Sequence, residues 1–320
     1  MSATRCLIAI LPFLGGLAAS GLAIAGYIPH VWFCDIASQL RLVWEIVLAV
    51  CVILLVVLRL PLMTLMIACG LLANSIPIAD LYFSSKHEED ARSTKISILN
   101  VNTEYQHNDR SDLLERLIKT RDPDVVAIVE ANEKWINAIK PTTNRYKYQK
   151  LVIVGPGMAL FSKFPIEHCD VRYFGKSHHP RILATLLVQQ SRVQVVVAHP
   201  TTPKSPNGYT ERRNEMLLLR DEMNSFSSPK VLIGDLNCGP WAADFHELLG
   251  SGLHDSEKGF GPQPSWPARN GRVYEYFPIP PMVPIDHVLV SDEFQILKRQ
   301  TDMSIGSDHL PVFVEASLRK

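Results

Sequence analysis

Residues 230–241 read KVLIGDLNCGPW. The apolar run VLI predicts a buried β-strand. An acid and an amide, Asp235 and Asn237, then follow two residues apart. A strand that is buried on both faces is not expected to end in two such polar residues. Side chains alternate between the two faces of a strand, so both polar groups would point the same way while Leu236 points to the core. The stretch is either a solvated strand end or a place where two polar groups do chemistry.

The chain after residue 94 alternates short apolar runs with amphipathic helical patterns. In its middle, several strand-like runs follow one another without a helix between them. Such neighbours argue against a purely parallel sheet, and the helical patterns elsewhere indicate sheets whose faces are covered. We therefore predict the α/β class, as a sandwich of mixed sheets with helices outside, over residues 95–320.

Polar side chains suited to catalysis stand at the ends of six predicted strands. Any one of them is most simply a solvated end or a structural side chain. Six ends that can meet at one edge of a layered fold instead indicate a ligand site. Carboxylate and amide oxygens suit Mg²⁺ or Mn²⁺, and histidines suit proton transfer and contact with a phosphate oxygen. The residues are Asn100, Asn102, Glu130, His199, Asp235, Asn237, Asp286, Asp308 and His309.

The same segments, taken in order, resemble the endonuclease/exonuclease/phosphatase superfamily, which has the deoxyribonuclease-I-like fold. They read LNVN, VVAIVEAN, VVVAHP, LIGDLN, PIDHVLVS and GSDHLPV and cover about residues 95–318. The combination is specific, although any one motif alone would be weak. The resemblance implies a four-layer α/β sandwich and a metal-dependent hydrolase of phosphoester bonds. With its apolar N-terminus, the chain is also similar to bacterial membrane-anchored members of the VanJ type.

The resemblance implies a site for Mg²⁺ or Mn²⁺ with Glu130 as the main ligand. Asp308 and Asn102 would lie beside the ion. Some relatives carry a metal-binding acid at the position of Asn102, and the amide here favours one ion over two. Asp235 would align or deprotonate the water that attacks phosphorus.

The remaining implied roles concern the phosphate. His309, held by Asp286, would contact the scissile phosphate. Asn237 and Asn100 would bind and orient it. His199 matches a second histidine that occurs in the phosphodiesterase branches of the family.

Two further residues are candidates for binding the substrate. Arg181 opens a predicted strand, where its guanidinium would hold a phosphate, and Tyr209 is suggested by the family alone. Arg212 and Arg213, on a later helix, are candidates for the same contact, although they are most simply a solvated helix face. Trp266 is interpreted as part of a loop at the rim of the site.

The N-terminal region, residues 1–83, is apolar. Residues 1–85 hold three basic and three acidic residues, so 29 of each sign lie beyond them. Uncharged runs of spanning length extend over Cys6–Cys34 and Leu60–Ala79, with a weaker apolar run between them. A cleaved signal peptide would account for the first run but not for the others. We predict three transmembrane helices near 7–28, 42–59 and 62–82, a polar linker at 84–94 and one domain at 95–320.

The charged loop residues predict the orientation of these helices. Arg5 precedes the first predicted helix, and Arg59 lies between the second and the third. The positive-inside rule places both in the cytoplasm. Three spans then put the domain outside, whereas two would leave it in the cytoplasm. We expect a multi-pass protein of the inner or plasma membrane with an extracytoplasmic catalytic domain.

The substrate is the property that the sequence determines least. A formally neutral domain lacks the broad basic surface used in non-specific nucleic-acid binding. A linker of about a dozen residues keeps the site close to the bilayer. Both features favour a lipid-linked phosphomonoester, phosphodiester or pyrophosphate. An extracytoplasmic endonuclease or exonuclease is the alternative, a non-catalytic binding protein on the same fold is less favoured, and no protein partner is evident.

Overall fold

The computed structural model describes residues 3–83, 93–227, 229–268, 280 and 282–319. The predicted linker at 84–94 lies almost entirely outside the described residues. The chain begins with four helices, and three of them lie near the three predicted spans. The fourth is a short helix that the sequence did not predict. Its eight residues include the polar Asp35 and Gln39, so they do not have the pattern of a membrane span. The helices are α1 (Ala3–Ala25), α2 (Trp32–Gln39), α3 (Arg41–Val57) and α4 (Pro61–Asp80).

Two of these helices, α1 and α4, are long and apolar enough to cross a membrane. Helix α3 has 17 residues and counts as part of a third span only together with α2, from which it bends by 68°. Large apolar side chains on this region point outward, and Leu11, Leu62 and Ile76 are 82%, 72% and 70% exposed. Large apolar side chains exposed in such number on one region indicate a membrane or protein contact.

The rest of the chain forms two six-stranded mixed sheets. The first has the spatial order β11 (Phe294–Thr301), β12 (Val312–Leu318), β1 (Thr94–Asn102), β2 (Val125–Ala131), β4 (Gly157–Ser162), β3 (Tyr148–Val152). The second has the order β5 (Ile166–Tyr173), β6 (Pro180–Val188), β7 (Ser191–Ala198), β8 (Lys230–Asp235), β10 (Asp286–Val290), β9 (His254–Asp255). Strands β1 and β2 are parallel, as are β7 and β8, and the other described pairs are antiparallel.

The two sheets pack face to face, with helices on both outer faces. Ile98 of β1 and Ile233 of β8 belong to one buried cluster between the sheets. Leu99 packs outward with α5 (Ser111–Arg121) and α6 (Glu133–Thr143), and Leu232 packs with α7 (Pro206–Ser225) and α8 (Ala243–Leu249). Both faces of the central strands are therefore covered, which explains their continuous apolar runs. The predicted four-layer α/β sandwich is confirmed.

Gly234, in the opening stretch, lies where β8 runs close against β7. Its φ is +154°, and a β-carbon on it would lie 1.8 Å from the carbonyl oxygen of Ala198. We expect Gly234→Ala to destabilise the fold by about 3 kcal/mol, because the backbone itself must move. Urea unfolding followed by tryptophan fluorescence measures this loss. Gly175→Ala is the control, since a β-carbon there has nothing within 4 Å, and an equal loss in both variants would contradict the prediction.

Candidate active site

The polar strand ends meet at one edge of the sandwich, around a cavity of about 500 Å³. Strands β1 and β2 bring side chains from the first sheet, and β7, β8 and β10 bring them from the second. The loop before β12 closes the group. Five of the predicted site residues line this cavity, namely Glu130, Asp235, Asn237, Asp308 and His309.

Asp235 lies at the centre of the group and is 1% exposed. The amide nitrogen of Asn102 donates a hydrogen bond to its Oδ2 over 3.1 Å. Nε2 of His199 and Nε2 of His309 lie 3.4 and 3.6 Å from the same oxygen. The backbone N–H of Asn237 donates to Oδ1 over 2.8 Å. Three side chains from both sheets therefore face a single carboxylate oxygen.

The charges of the group reinforce one another. Burial alone would raise the pKa of Asp235, but the charge of His309 and the hydrogen bond from His199 outweigh it and hold this pKa well below its usual range. Burial would lower the pKa of His309, but the charges of Asp286 and Asp235 raise it well above its usual value. Opposite charges at close range favour the ionised form of each partner. The two pKa shifts therefore favour an ionised Asp235 beside a protonated His309.

His309 is oriented by Asp286. Its Nδ1 lies 2.7 Å from Oδ2 of Asp286, which pairs with Asp235 across the antiparallel strands β8 and β10. A partner on one ring nitrogen fixes the direction of the other. Nε2 therefore faces the cavity, where it lies 3.8 Å from Oδ1 of Asp308.

Glu130 is aimed at the group by an irregularity in its strand. The register between β2 and β4 shifts between Val129 and Ala131, and Glu130 has a φ of +53°. Such a bulge redirects a side chain beside a functional site. Oε1 of Glu130 accepts a hydrogen bond from the amide of Asn102 over 3.2 Å and lies 3.6 Å from Nε2 of His199.

These side chains fit a divalent cation. Ligand atoms of Glu130, His199 and Asp235 lie within 4.8 Å of one another, and carboxylate oxygens are the donors that Mg²⁺ and Mn²⁺ prefer. Asn100, on the same face of β1 as Asn102, is fully buried, and neither of its amide atoms has a hydrogen-bond partner among the described residues. Buried polar groups are normally satisfied, so this orphaned amide also points to an ion, water or substrate in the site.

Asn102, which is predicted to lie beside the ion, connects the two carboxylates of the site. Its amide nitrogen bonds Glu130 and Asp235, while its oxygen accepts the backbone N–H of Glu104 over 3.0 Å. That bond occupies one of the two lone pairs of the oxygen. Asn102 therefore holds the two carboxylates in place, and its predicted position beside an ion stays a prediction.

Arg181 and Tyr209 are not brought into the cavity. Arg181 lies on the face of β6 opposite to the buried Ile182, and its Nε donates to Glu222 over 2.8 Å. Tyr209 is 5% exposed under the guanidinium of Arg212, and burial raises its pKa to about 12. Arg181 therefore forms an ion pair with Glu222, and the ring of Tyr209 is buried. Neither side chain lines the cavity in which the substrate contacts were predicted.

The interpretation of Arg212 as a solvated residue is wrong. Its side chain is fully buried, and Nη2 donates to Asp35 over 2.8 Å and to Asp244 over 3.1 Å. Nη1 donates to the carbonyl oxygen of Asn237 over 2.8 Å. The helical pattern could not reveal this burial, because the covering element is α2, far away in sequence. Arg213, which pairs with Asp244, is one-quarter exposed.

Three residues near the site are absent from the predicted catalytic, substrate-binding and metal-binding sets. Oε2 of Glu104 accepts the backbone N–H of Asp308 over 2.9 Å, and burial together with the charge of Asp308 raises the pKa of Glu104. Nε1 of Trp266, interpreted as a rim residue, donates to Oδ2 of Asp308 over 3.1 Å. His179 stacks on His199 with ring centroids 6.1 Å apart. Glu104 has a signal in the sequence because it follows Asn102 by two residues, and Trp266 has one because it lies in the predicted rim loop.

Comparisons with known proteins match this part of the chain. The model of the Endonuclease/Exonuclease/phosphatase family matches residues 99–309. A comparison with curated proteins finds no significant match. The likeness to VanJ-type members stays a prediction.

Solved structures of the same fold share little sequence with the chain. TDP2 of D. rerio, complexed with single strand DNA product, has a TM-score of 0.60 and 14% identity, covering 70% of this chain and 99% of that one. Sphingomyelinase C from Streptomyces griseocarneus has a TM-score of 0.55 and 19% identity over 71% and 100%. An endonuclease/exonuclease/phosphatase from Beutenbergia cavernae has a TM-score of 0.55 and 17% identity over 70% and 72%. At these identities the likeness shows the fold.

Proposed function

Because the chain belongs to the endonuclease/exonuclease/phosphatase family, we propose that it is a divalent-metal-dependent hydrolase of a phosphoester bond. The observation that carries this proposal is the convergence of Asn102, His199 and His309 on one oxygen of Asp235. A buried carboxylate surrounded by donors, at the end of an open cavity, supports the alignment of a water molecule against a phosphate. A non-catalytic binding protein would have no need of this constellation.

In the proposed reaction, water attacks phosphorus in line with the leaving oxygen. One P–O bond forms as the other breaks, and Asp235 accepts a hydrogen bond from the attacking water. The lowered pKa of Asp235 favours aligning the water over retaining its proton, so this proton passes to the leaving oxygen or to solvent. The imidazolium of His309 would donate from Nε2 to a phosphate oxygen, and Asn237, Asn100 and His199 would contribute to binding the phosphate.

Glu130, with Asp308 nearby, would hold Mg²⁺ or Mn²⁺. The bound ion supplies charge neutralisation at the phosphate and at the leaving group. We expect Glu130→Gln to raise the Mg²⁺ concentration for half-maximal activity by at least roughly tenfold, because the site loses a full negative charge. A magnesium titration of activity measures the shift. Glu133→Gln, an exposed acid three residues further on, is the matched control and should leave the titration unchanged.

We further propose that the protein is anchored in the cell membrane and that its substrate is lipid-linked. The apolar helices α1 and α4 support the anchor, and the neutral domain offers no general attraction to nucleic acid. The test compares Mg²⁺-dependent phosphate release from undecaprenyl pyrophosphate with the cleavage of plasmid DNA. Nicking of DNA without hydrolysis of the lipid would favour the alternative, an extracytoplasmic nuclease.

The proposed extracytoplasmic location depends on whether α2 and α3 together cross the membrane. A reporter fused after Lys320 measures the side directly. Activity of a periplasmic reporter, such as alkaline phosphatase, is the expected result. Activity of a cytoplasmic reporter alone would mean two spans and would restrict the substrates to cytoplasmic ones.

A further inference from the structure

The active-site cavity has an apolar half as well as a polar one. Ile36 of α2 and Leu40, the residue that directly follows this helix, line it one helical turn apart. Val283 and Ile285, which are 3% and 6% exposed, line it from the segment that leads into β10. Trp266 and Pro203 complete this wall. One continuous cavity therefore connects the carboxylates to a hydrocarbon surface.

Helix α2 is held firmly in this position. Its Asp35 is 6% exposed and forms the ion pair with the fully buried Arg212. Gln39 donates to the second carboxylate oxygen of Asp35 over 2.8 Å, and Nε1 of Trp32 donates to the carbonyl oxygen of Pro203 over 2.9 Å. Arg212 also binds the carbonyl oxygen of Asn237. The same guanidinium thus fixes the apolar wall and the loop that carries a phosphate-binding residue.

The end of α4 also packs against the sandwich, so the helical region is docked and not merely tethered. Nε1 of Trp241 donates to the carbonyl oxygen of Pro77 over 3.1 Å. The backbone N–H groups of Gly259 and Gly261 both donate to the carbonyl oxygen of Leu81, over 2.8 and 3.0 Å. The cavity therefore lies at the junction between the candidate membrane helices and the sandwich.

We propose that Ile36 and Leu40, together with Val283, Ile285 and Trp266, form a subsite for a hydrocarbon segment attached to the scissile phosphate. This inference rests on the proposed phosphoesterase function and makes α2 its specificity-determining element. A phosphate group fills only a small part of a cavity of about 500 Å³. A wholly polar substrate would leave the apolar wall uncovered, whereas an alkyl or prenyl chain would bury it. The substrate class is an amphiphilic phosphate ester.

The test measures binding of ethylphosphonate and hexylphosphonate to the full chain in lipid nanodiscs with Mg²⁺, by calorimetry. Their C–P bond is not cleaved by phosphoester hydrolysis, so the readout does not depend on turnover. Each fully buried methylene is worth about fourfold in affinity. Partial burial of the four additional methylenes should make hexylphosphonate bind at least about tenfold more tightly.

The double variant Ile36→Ser, Leu40→Ser should reduce this ratio to about two or less, with the affinity for ethylphosphonate unchanged. Phe33→Ser is the matched control on the same helix, because Phe33 is 57% exposed and lies outside the cavity lining. If the double variant does not fold, Ile36→Trp provides a second test, since the larger ring should block the hexyl chain and spare ethylphosphonate.

The outcomes separate the two proposals. Equal affinity of the wild type for both phosphonates, or equal loss of the ratio in the Phe33 and α2 variants, would overturn the subsite and leave the phosphoesterase proposal standing. Absence of Mg²⁺-dependent binding of either phosphonate would overturn the phosphate site itself and, with it, the subsite. A ratio that falls only in the cavity-facing α2 variants supports both.

Discussion

Replacing Asp235 by asparagine should lower kcat/KM for phosphoester hydrolysis by about a thousand-fold and leave the fold intact. Asparagine has the shape of aspartate, so the packing of the neighbouring Leu236 in its apolar cluster should not change. The variant loses the negative charge that His199 and His309 face, and its amide nitrogen presents a donor where the water requires an acceptor. Both losses act where the reaction takes place.

Activity is measured on the best substrate found among phosphomonoesters, phosphodiesters and pyrophosphates, with Mg²⁺ in excess. Circular dichroism and thermal unfolding check that the variant is folded. Asp221→Asn is the matched control, because the Asp221 side chain is 62% exposed on α7 and pairs with Arg220. Hydrolysis by purified Asp235→Asn at the wild-type rate would refute the assignment of Asp235.

Replacing His309 by alanine should lower kcat by about a hundred- to a thousand-fold. The variant removes the imidazolium that faces the cavity and leaves Asp286 buried without its partner at 2.7 Å. Some loss of stability should therefore accompany the loss of rate. His168→Ala, at an exposed position on β5, should change neither. Steady-state kinetics, combined with thermal unfolding, separate the two effects.

The Asp286→Asn variant tests how His309 acts. Asparagine can still orient the ring but no longer supplies the charge that raises the pKa of His309. A lower pKa means that the imidazolium is lost at a lower pH. The alkaline limb of the pH–rate profile should therefore shift to lower pH, with a smaller fall in the maximal rate than in His309→Ala. An unchanged alkaline limb would show that His309 does not act as the protonated donor.

The identity of the polar strand ends could be read from the sequence because strands have a simple period. Asp235 and Asn237 are two residues apart, so both line the cavity while Leu236 is buried among the side chains that pack on α7 and α8. The apolar runs before them predict strands covered on both faces, which the two packed sheets confirm. Strand period, polar termini and motif order were sufficient for the fold class, and they predicted five side chains that line one cavity.

The tertiary structure alone decided what lies around that site. The sequence around Arg212 indicates a solvated helix face. In the structure Arg212 instead binds Asp35, which is 177 residues away in sequence. Arg181 has the chemistry of a phosphate ligand, yet the alternation of β6 turns it toward Glu222. Neither outcome follows from local spacing, because each depends on which distant element covers a given face.

Helix α2 shows the same division most clearly. A segment of eight residues is too short to span a membrane, and its apolar and polar residues are too mixed to predict a buried helix. The sequence therefore predicts no element there. Docking places Ile36 and Leu40 beside Asp235 and His309 in one cavity. The sequence thus determined which polar groups line the cavity, since period-two alternation is local. Tertiary packing decided which apolar side chains complete the cavity, since they come from a part of the chain with no local reason to be there.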